Sequence, residues 1–170
     1  MKIVGIVLLL VLSSLFAGAQ DFTTVILVRH AEKDMTASTN NPDLSPEGKA
    51  RQQALSHALE NVDIDVLYST PYLRTRNTIQ GIASARNLEI LEYSPFDEAA
   101  IKEIIESNQG KTILFSGHSN TVPAMLNMLT GTTNYEPFTD ADYDNLFFVI
   151  MHGGVVQVLP LKYGADDGVK

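Results

Sequence analysis

The sequence predicts an α/β chain folded as a three-layer α/β/α sandwich around a mostly parallel central sheet. Short, β-branched apolar runs alternate with longer stretches whose apolar residues recur at helical spacing. Strands separated by helices run parallel, and their crossovers cover both faces of the sheet. The last two apolar runs are parted only by His152-Gly153-Gly154, which marks a terminal hairpin instead of another crossover.

The elements follow in order. Thr23–Val28 (TTVILV) is apolar and β-branched enough for a buried strand. Ser45-Pro46-Glu47 opens a helix, with serine as N-cap and proline in the first turn. That helix is expected to reach about Glu60, with Ala50, Ala54, Leu55, Ala58 and Leu59 on one face. Asp65–Tyr68 is a second strand, Tyr72–Arg86 a second helix, and Glu89–Tyr93 a third strand. Beyond Phe96, the spacing of Ala100, Ile101, Ile104 and Ile105 predicts a third helix. Thr112–Ser116 is a fourth strand. Val122, Met125, Leu126 and Leu129 mark a fourth helix, which Gly131 ends. Leu146–Met151 and Val155–Leu159 form the hairpin.

At 170 residues and 45% hydrophobic composition, the chain suits one domain with a full core. A formal charge of −8 argues against nucleic acid or an anionic membrane as the main partner, since both demand a basic face. An anionic substrate still fits if positive charge is concentrated in a pocket. No cysteine is present, which removes disulfides, thiolate metal sites and cysteine nucleophiles. Lys2, the apolar run Ile3–Leu12 and the small residues Ala17-Gly18-Ala19 make a secretory signal peptide, cleaved after Ala19. The expected organisation is therefore a signal peptide over 1–19 and one domain over 20–170. The mature protein would be periplasmic or secreted, with no membrane attachment after cleavage.

Ligands of open α/β sheets bind beyond the carboxyl ends of the strands. Arg29-His30-Ala31-Glu32-Lys33 follows the first strand here, Ser69-Thr70-Pro71-Tyr72-Leu73-Arg74 the second, and Gly117-His118-Ser119-Asn120 the fourth. Two arginines and two histidines thus meet at one sheet edge. Guanidinium groups match phosphoryl oxygens with paired, charge-assisted hydrogen bonds. Neutral imidazole is a nucleophile near neutral pH, and a second imidazole can donate to the equatorial oxygens in the transition state. A carboxylic acid would protonate the departing alkoxide. No metal or other cofactor is needed, because the arginines supply the positive charge.

Arg29-His30-Ala31-Glu32-Lys33 resembles the RHG signature of the histidine phosphatase (phosphoglycerate mutase-like) superfamily. Leu44-Ser45-Pro46-Glu47-Gly48 resembles its LTxxG helix start. Tyr68–Thr78 resembles its second arginine segment, and Ser116–Asn120 its second histidine segment. The resemblance spans Thr23 to Leu159, in order, and the compact length is similar to that of the small bacterial phosphohistidine phosphatases rather than the larger acid phosphatases. It implies a phosphoglycerate mutase-like fold and a metal-independent phosphatase of small phosphomonoesters or phosphorylated protein side chains. It makes His30 the phosphorylated nucleophile, with Arg29, Arg74 and His118 around the phosphate. The family's acid falls at the start of the helix after the third strand, where Asp97 and Glu98 stand, Asp97 nearer the strand. Ala31 replaces the family's glycine, and Thr36 stands where members carry asparagine. A phosphomutase using the same intermediate, or a phosphate-binding module without turnover, are the alternatives. Asp140, Asp142 and Asp144 lack the glycine and closing glutamate of a calcium loop and read as a solvated loop. His57 reads as a surface residue, and His152 as part of the hairpin turn.

Overall fold

A computed structural model describes residues 22–166 and 168; the expected signal peptide lies outside the described residues. The elements are β1 (Thr23–Arg29), α1 (Pro46–Ala58), β2 (Val66–Ser69), α2 (Leu73–Arg86), β3 (Ile90–Glu92), α3 (Glu98–Ser107), β4 (Thr112–Gly117), α4 (Thr121–Thr130), β5 (Asn145–His152) and β6 (Val155–Lys162). The strands form one sheet in the order β3-β2-β4-β1-β5-β6. β3, β2, β4 and β1 run parallel, β5 lies antiparallel to β1, and β6 pairs antiparallel with β5. The expected three-layer sandwich is present. The hairpin turn is tighter than expected, because His152 belongs to β5 and only Gly153 and Gly154 make the corner. Their φ values of 56° and 79° are those of a two-residue primed turn, which glycine adopts without strain.

The pleat of β1 divides the core. Ile26 and Val28 face α1 and α2, meeting Leu55, Leu59, Ile79 and Ile82. Val25 and Leu27 face α3 and α4, meeting Ile101, Ile105, Val122 and Leu126. β1 is buried on both faces, which is why its run is continuously apolar instead of alternating. β6 is the outer edge and leaves Val155, Leu159 and Leu161 exposed.

Local chemistry sets the helix ends. Ser45 accepts from the Gly48 amide at the start of α1, and Asp97 accepts from the Ala100 amide at the start of α3. α2 has no side-chain cap of its own; instead Asn41 Oδ1, from the loop after β1, accepts from the Leu73 amide at 2.9 Å. Asn87 and Gly131 end α2 and α4 in the left-handed conformation.

The buried stripe of α1 departs from the expected one. Gly48, Arg51 and Leu55 face inward, whereas Ala50 is exposed. Gly48 is there because a Cβ would stand 2.1 Å from the carbonyl oxygen of Glu32. That same oxygen accepts from the Ser45 amide at 2.9 Å. Arg51, only 6% exposed, reaches Glu32 Oε1 through Nε at 2.8 Å and the carbonyls of Tyr163 and Ala165 through Nη1. One guanidinium therefore ties the loop after β1 to the end of β6, and this is the role of Glu32 that the sequence does not disclose.

Removing one partner of a buried ion pair leaves the other charge uncompensated and costs about 3–5 kcal/mol. Arg51→Leu is expected to lower the unfolding free energy by about 3 kcal/mol. Urea denaturation would check it, and a change below about 1 kcal/mol would show that the bridge holds nothing in place.

Candidate active site

Strands β1 and β4 are neighbours, yet their chains leave toward opposite faces of the sheet, to α1 and to α4. The crevice opened by that divergence is where α/β sheets bind ligands. Arg29 pairs with Gly117 in register, and the His30 amide donates to the Gly117 carbonyl at 2.9 Å. The two histidines follow at once, their rings edge to face with centroids 5.4 Å apart. A cavity of about 580 Å³ opens there, lined by Arg29, His30, Arg74 and His118 among others. The structure thus brings together four of the five residues expected from the sequence.

His30 is buried, and its Nδ1 lies 2.8 Å from the carbonyl oxygen of Ala31. A carbonyl only accepts, so Nδ1 carries the proton and Nε2 keeps its lone pair. Burial, then the positive charges of Arg29, His118 and Arg74, push its pKa down to about 3, against the Ala31 bond, which raises it. The ring is neutral and nucleophilic at any ordinary pH.

The tautomer of His118 is fixed by a chain of hydroxyls. Thr75 Oγ1 lies within hydrogen-bond distance of the Thr70 and Tyr72 carbonyls, so its proton points to them. Thr70 Oγ1 then donates to Thr75 Oγ1 at 2.9 Å, and has only a lone pair to offer His118 Nε2, also at 2.9 Å. His118 is therefore the Nε2–H donor. Burial, Arg74 and Arg29 lower its pKa to about 4. An anion placed between the arginines reverses their effect and favours an imidazolium with donors on both nitrogens.

Arg29 donates through Nη1 to the carbonyls of Thr139 and Asp142, at 2.7 and 2.8 Å, and its guanidinium lies over Tyr143 at 4.0 Å. Its Nε is buried with no protein partner, which leaves the Nε–Nη2 edge for a ligand. Arg74 stands 4.4 Å over the Tyr72 ring, and its Nε is likewise buried and unpaired. Each unmatched buried donor costs on the order of 1–3 kcal/mol, more when charged, and a bound oxyanion relieves both. The four-residue spacing from Arg74 to Thr78 has a physical reason: Thr78 Oγ1 donates to the Arg74 carbonyl and accepts from the Ala31 amide at 2.8 Å. One hydroxyl thereby fixes the arginine's turn of helix against the loop that carries His30.

Asp97 is the expected residue that the structure does not bring in. It is exposed, is engaged as the N-cap of α3, and is absent from the cavity walls. Glu98 is absent from them too. The carboxylates on the walls are Glu92, at the end of β3, and Asp140. The rule that located the other loops, reading the residues at a strand's carboxyl end, points to Glu92 when applied to β3. Thr36 is also elsewhere, bonded to Asp34 in an exposed turn. The segment around Asp142 is not merely solvated: it clamps Arg29, and Asp144 is buried and paired with Lys162. Lys33, Tyr93, Pro95 and Phe96 complete the surroundings without having been foreseen.

Both histidine pKa values lie below the unfolded value, so both rings resist protonation only in the folded, ligand-free protein. The stability they contribute is complete above about pH 6.5 and is lost as the pH falls toward 4 and then 3. Nitrogen-15 NMR of the ligand-free protein is expected to find both rings neutral at pH 5.5. Protonation of either with a midpoint near 6.5 would contradict the burial argument.

Comparison with known proteins finds similarity in sequence and in fold. The description "histidine phosphatase superfamily (branch 1)" matches residues 25–100. Phosphoserine phosphatase 1 of Hydrogenobacter thermophilus is 40% identical over 73 residues, covering 40% of this chain and 35% of that one. The matched segment thus spans about a third of the curated relative's length. The fold matches phosphoserine phosphatase of Entamoeba histolytica bound to phosphoserine, with TM-score 0.65 at 15% identity over 83% of this chain and 96% of that one. It also matches the protein histidine phosphatase SixA bound to tungstate, with TM-score 0.68 at 17% identity over 82% and 96%. The segment that matches the histidine phosphatase superfamily (branch 1) carries Arg29, His30 and Arg74, and the remaining fold delivers His118 beside them.

Proposed function

We propose that the protein is a phosphatase that hydrolyses phosphomonoesters through a phosphohistidine formed on His30. The observation that carries this is the Nδ1–H bond of His30 to the Ala31 carbonyl, in a site where burial keeps the ring neutral. Nε2 is then a nucleophile with no proton to lose. Phosphatase names among the relatives support the reaction class.

The geometry orders the steps. The phosphoryl group docks on the free guanidinium edges of Arg29 and Arg74, and its charge draws a proton onto His118. The Nε2 lone pair of His30 attacks phosphorus, the P–O ester bond breaks, and the leaving oxygen takes a proton from Glu92. Water then attacks phosphorus and gives its proton to Glu92. The P–N bond breaks, returning its electron pair to His30, and phosphate leaves.

Incubation of the mature protein with a radiolabelled phosphomonoester in chelator is expected to release free phosphate and leave an acid-labile label on the wild type. His30→Ala is expected to show neither. Phosphate release that survives in His30→Ala would overturn the covalent step.

Glu92 and Asp97 separate by leaving group. Glu92→Gln is expected to slow an alkyl phosphate by about 10²-fold or more while barely slowing a nitrophenyl ester, whose leaving oxygen needs no proton. Asp97→Ala is expected to lower stability by about 1 kcal/mol, as loss of a cap does, with turnover of both esters retained. The opposite pattern would return the acid to Asp97.

A further inference from the structure

We propose that the outer half of the pocket selects phosphomonoesters whose leaving group carries an aromatic ring. This rests on the phosphatase reading above and adds the class of substrate to it. A phosphoryl group occupies only the end of the cavity held by Arg29, His30, Arg74 and His118, and most of its roughly 580 Å³ lies beyond. The walls of that remainder include Pro71, Tyr72, Pro95 and Phe96, two flat rings and two prolines, facing a space next to the phosphate end.

The two aromatic residues are placed differently. Tyr72 is held: its ring meets His118 edge to face at 5.2 Å and lies beneath the Arg74 guanidinium. It therefore sits beside both groups that grip the phosphate. Phe96 is loose in the sense that nothing covers it. At 77% exposure it is the most exposed large hydrophobic residue among those described. A fully wetted phenylalanine at the lip of a cavity gains contact only when a ligand arrives, and flat rings pair best with flat rings.

Charge narrows the class further. Asp140, the carboxylate of the lining besides the proposed acid Glu92, opposes a leaving group with a second phosphate or a carboxylate. Lys33 is the remaining cation of the lining, and it stands on the Arg74 side, where it shares the wall of a neighbouring cavity with that arginine. The phosphate end is thus cationic, and the rest of the lining offers apolar rings. A neutral aromatic alcohol fits it.

The test must separate ring recognition from the easier departure of phenols. Phenylethylphosphonate and ethylphosphonate carry an inert P–C bond and the same phosphonate head, and differ by the ring. Calorimetry is expected to show the phenylethyl compound binding about tenfold tighter or more. In Phe96→Ser that ratio is expected to fall toward one, while the fold, from which Phe96 protrudes, is kept. Equal affinities in the wild type, or a ratio untouched by Phe96→Ser, would overturn the proposal. Turnover of 2-phenylethyl phosphate beside ethyl phosphate, whose leaving alcohols are alike in acidity, reads the phosphatase assignment separately. Ring-dependent phosphonate binding without turnover of either ester would sink that assignment and leave this one standing.

Discussion

The pairing of β1 with β4 is the constraint on which the pocket depends. Six consecutive residue pairs, Thr24 with Thr112 through Arg29 with Gly117, fix the register. A slip of one residue would turn Val25 and Leu27 from one core to the other and carry Arg29 to the wrong face. Because both strands are buried on both sides, neither core can absorb such a slip. The register holds for apolar reasons, and the chemistry inherits its precision. Arg29 and His30 on one side and His118 on the other are positioned by the last residues of two strands, not by free loops.

Upon that frame, buried hydroxyls make the finer adjustments. Thr70, Thr75 and Thr78 are fully buried, where an unpaired hydroxyl is costly, so each must find a partner and each partner is thereby fixed. Thr78 joins α2 to the His30 loop, and the Thr75–Thr70 chain sets which nitrogen of His118 carries its proton. The two histidines end with opposite tautomers, His30 protonated on Nδ1 and His118 on Nε2. Identical side chains side by side thereby present different free nitrogens, Nε2 of His30 and Nδ1 of His118, set by a carbonyl and a hydroxyl respectively.

The parts of this site legible in the sequence are those that follow from strand ends. Arg29, His30, Arg74 and His118 each stand beyond an apolar run, and the sheet brings apolar runs together, so their meeting could be foreseen. The acid could not be placed in the same way, because a carboxylate before a helix is good capping chemistry whatever else it does. Asp97 satisfied that local rule, and capping is what it does in the structure. Arg51 escapes a sequence reading for a different reason: a charged residue on a short helix ordinarily faces water, and only a partner nineteen positions away, Glu32, makes its burial tolerable. Local periodicity carries no record of such a partner. The clamp on Arg29 was invisible for a third reason, since its acceptors are main-chain carbonyls that any residues would supply.

That clamp resolves an apparent conflict in the electrostatics. A chain with net charge −8 must keep a positive pocket, and its arginines need firm anchoring in order to grip a phosphate in one geometry. Anchoring Arg29 through a carboxylate would hold it well but neutralise it, and the anion would then have to compete with an internal partner. Carbonyls do the holding here: those of Thr139 and Asp142 take both Nη1 hydrogens, and the Tyr143 ring supports the guanidinium plane. The nearby carboxylates Asp140, Asp142 and Glu32 are felt through space and resist the loss of charge that burial favours, without occupying the donor edge. The charge that reaches the pocket is therefore still available to a ligand.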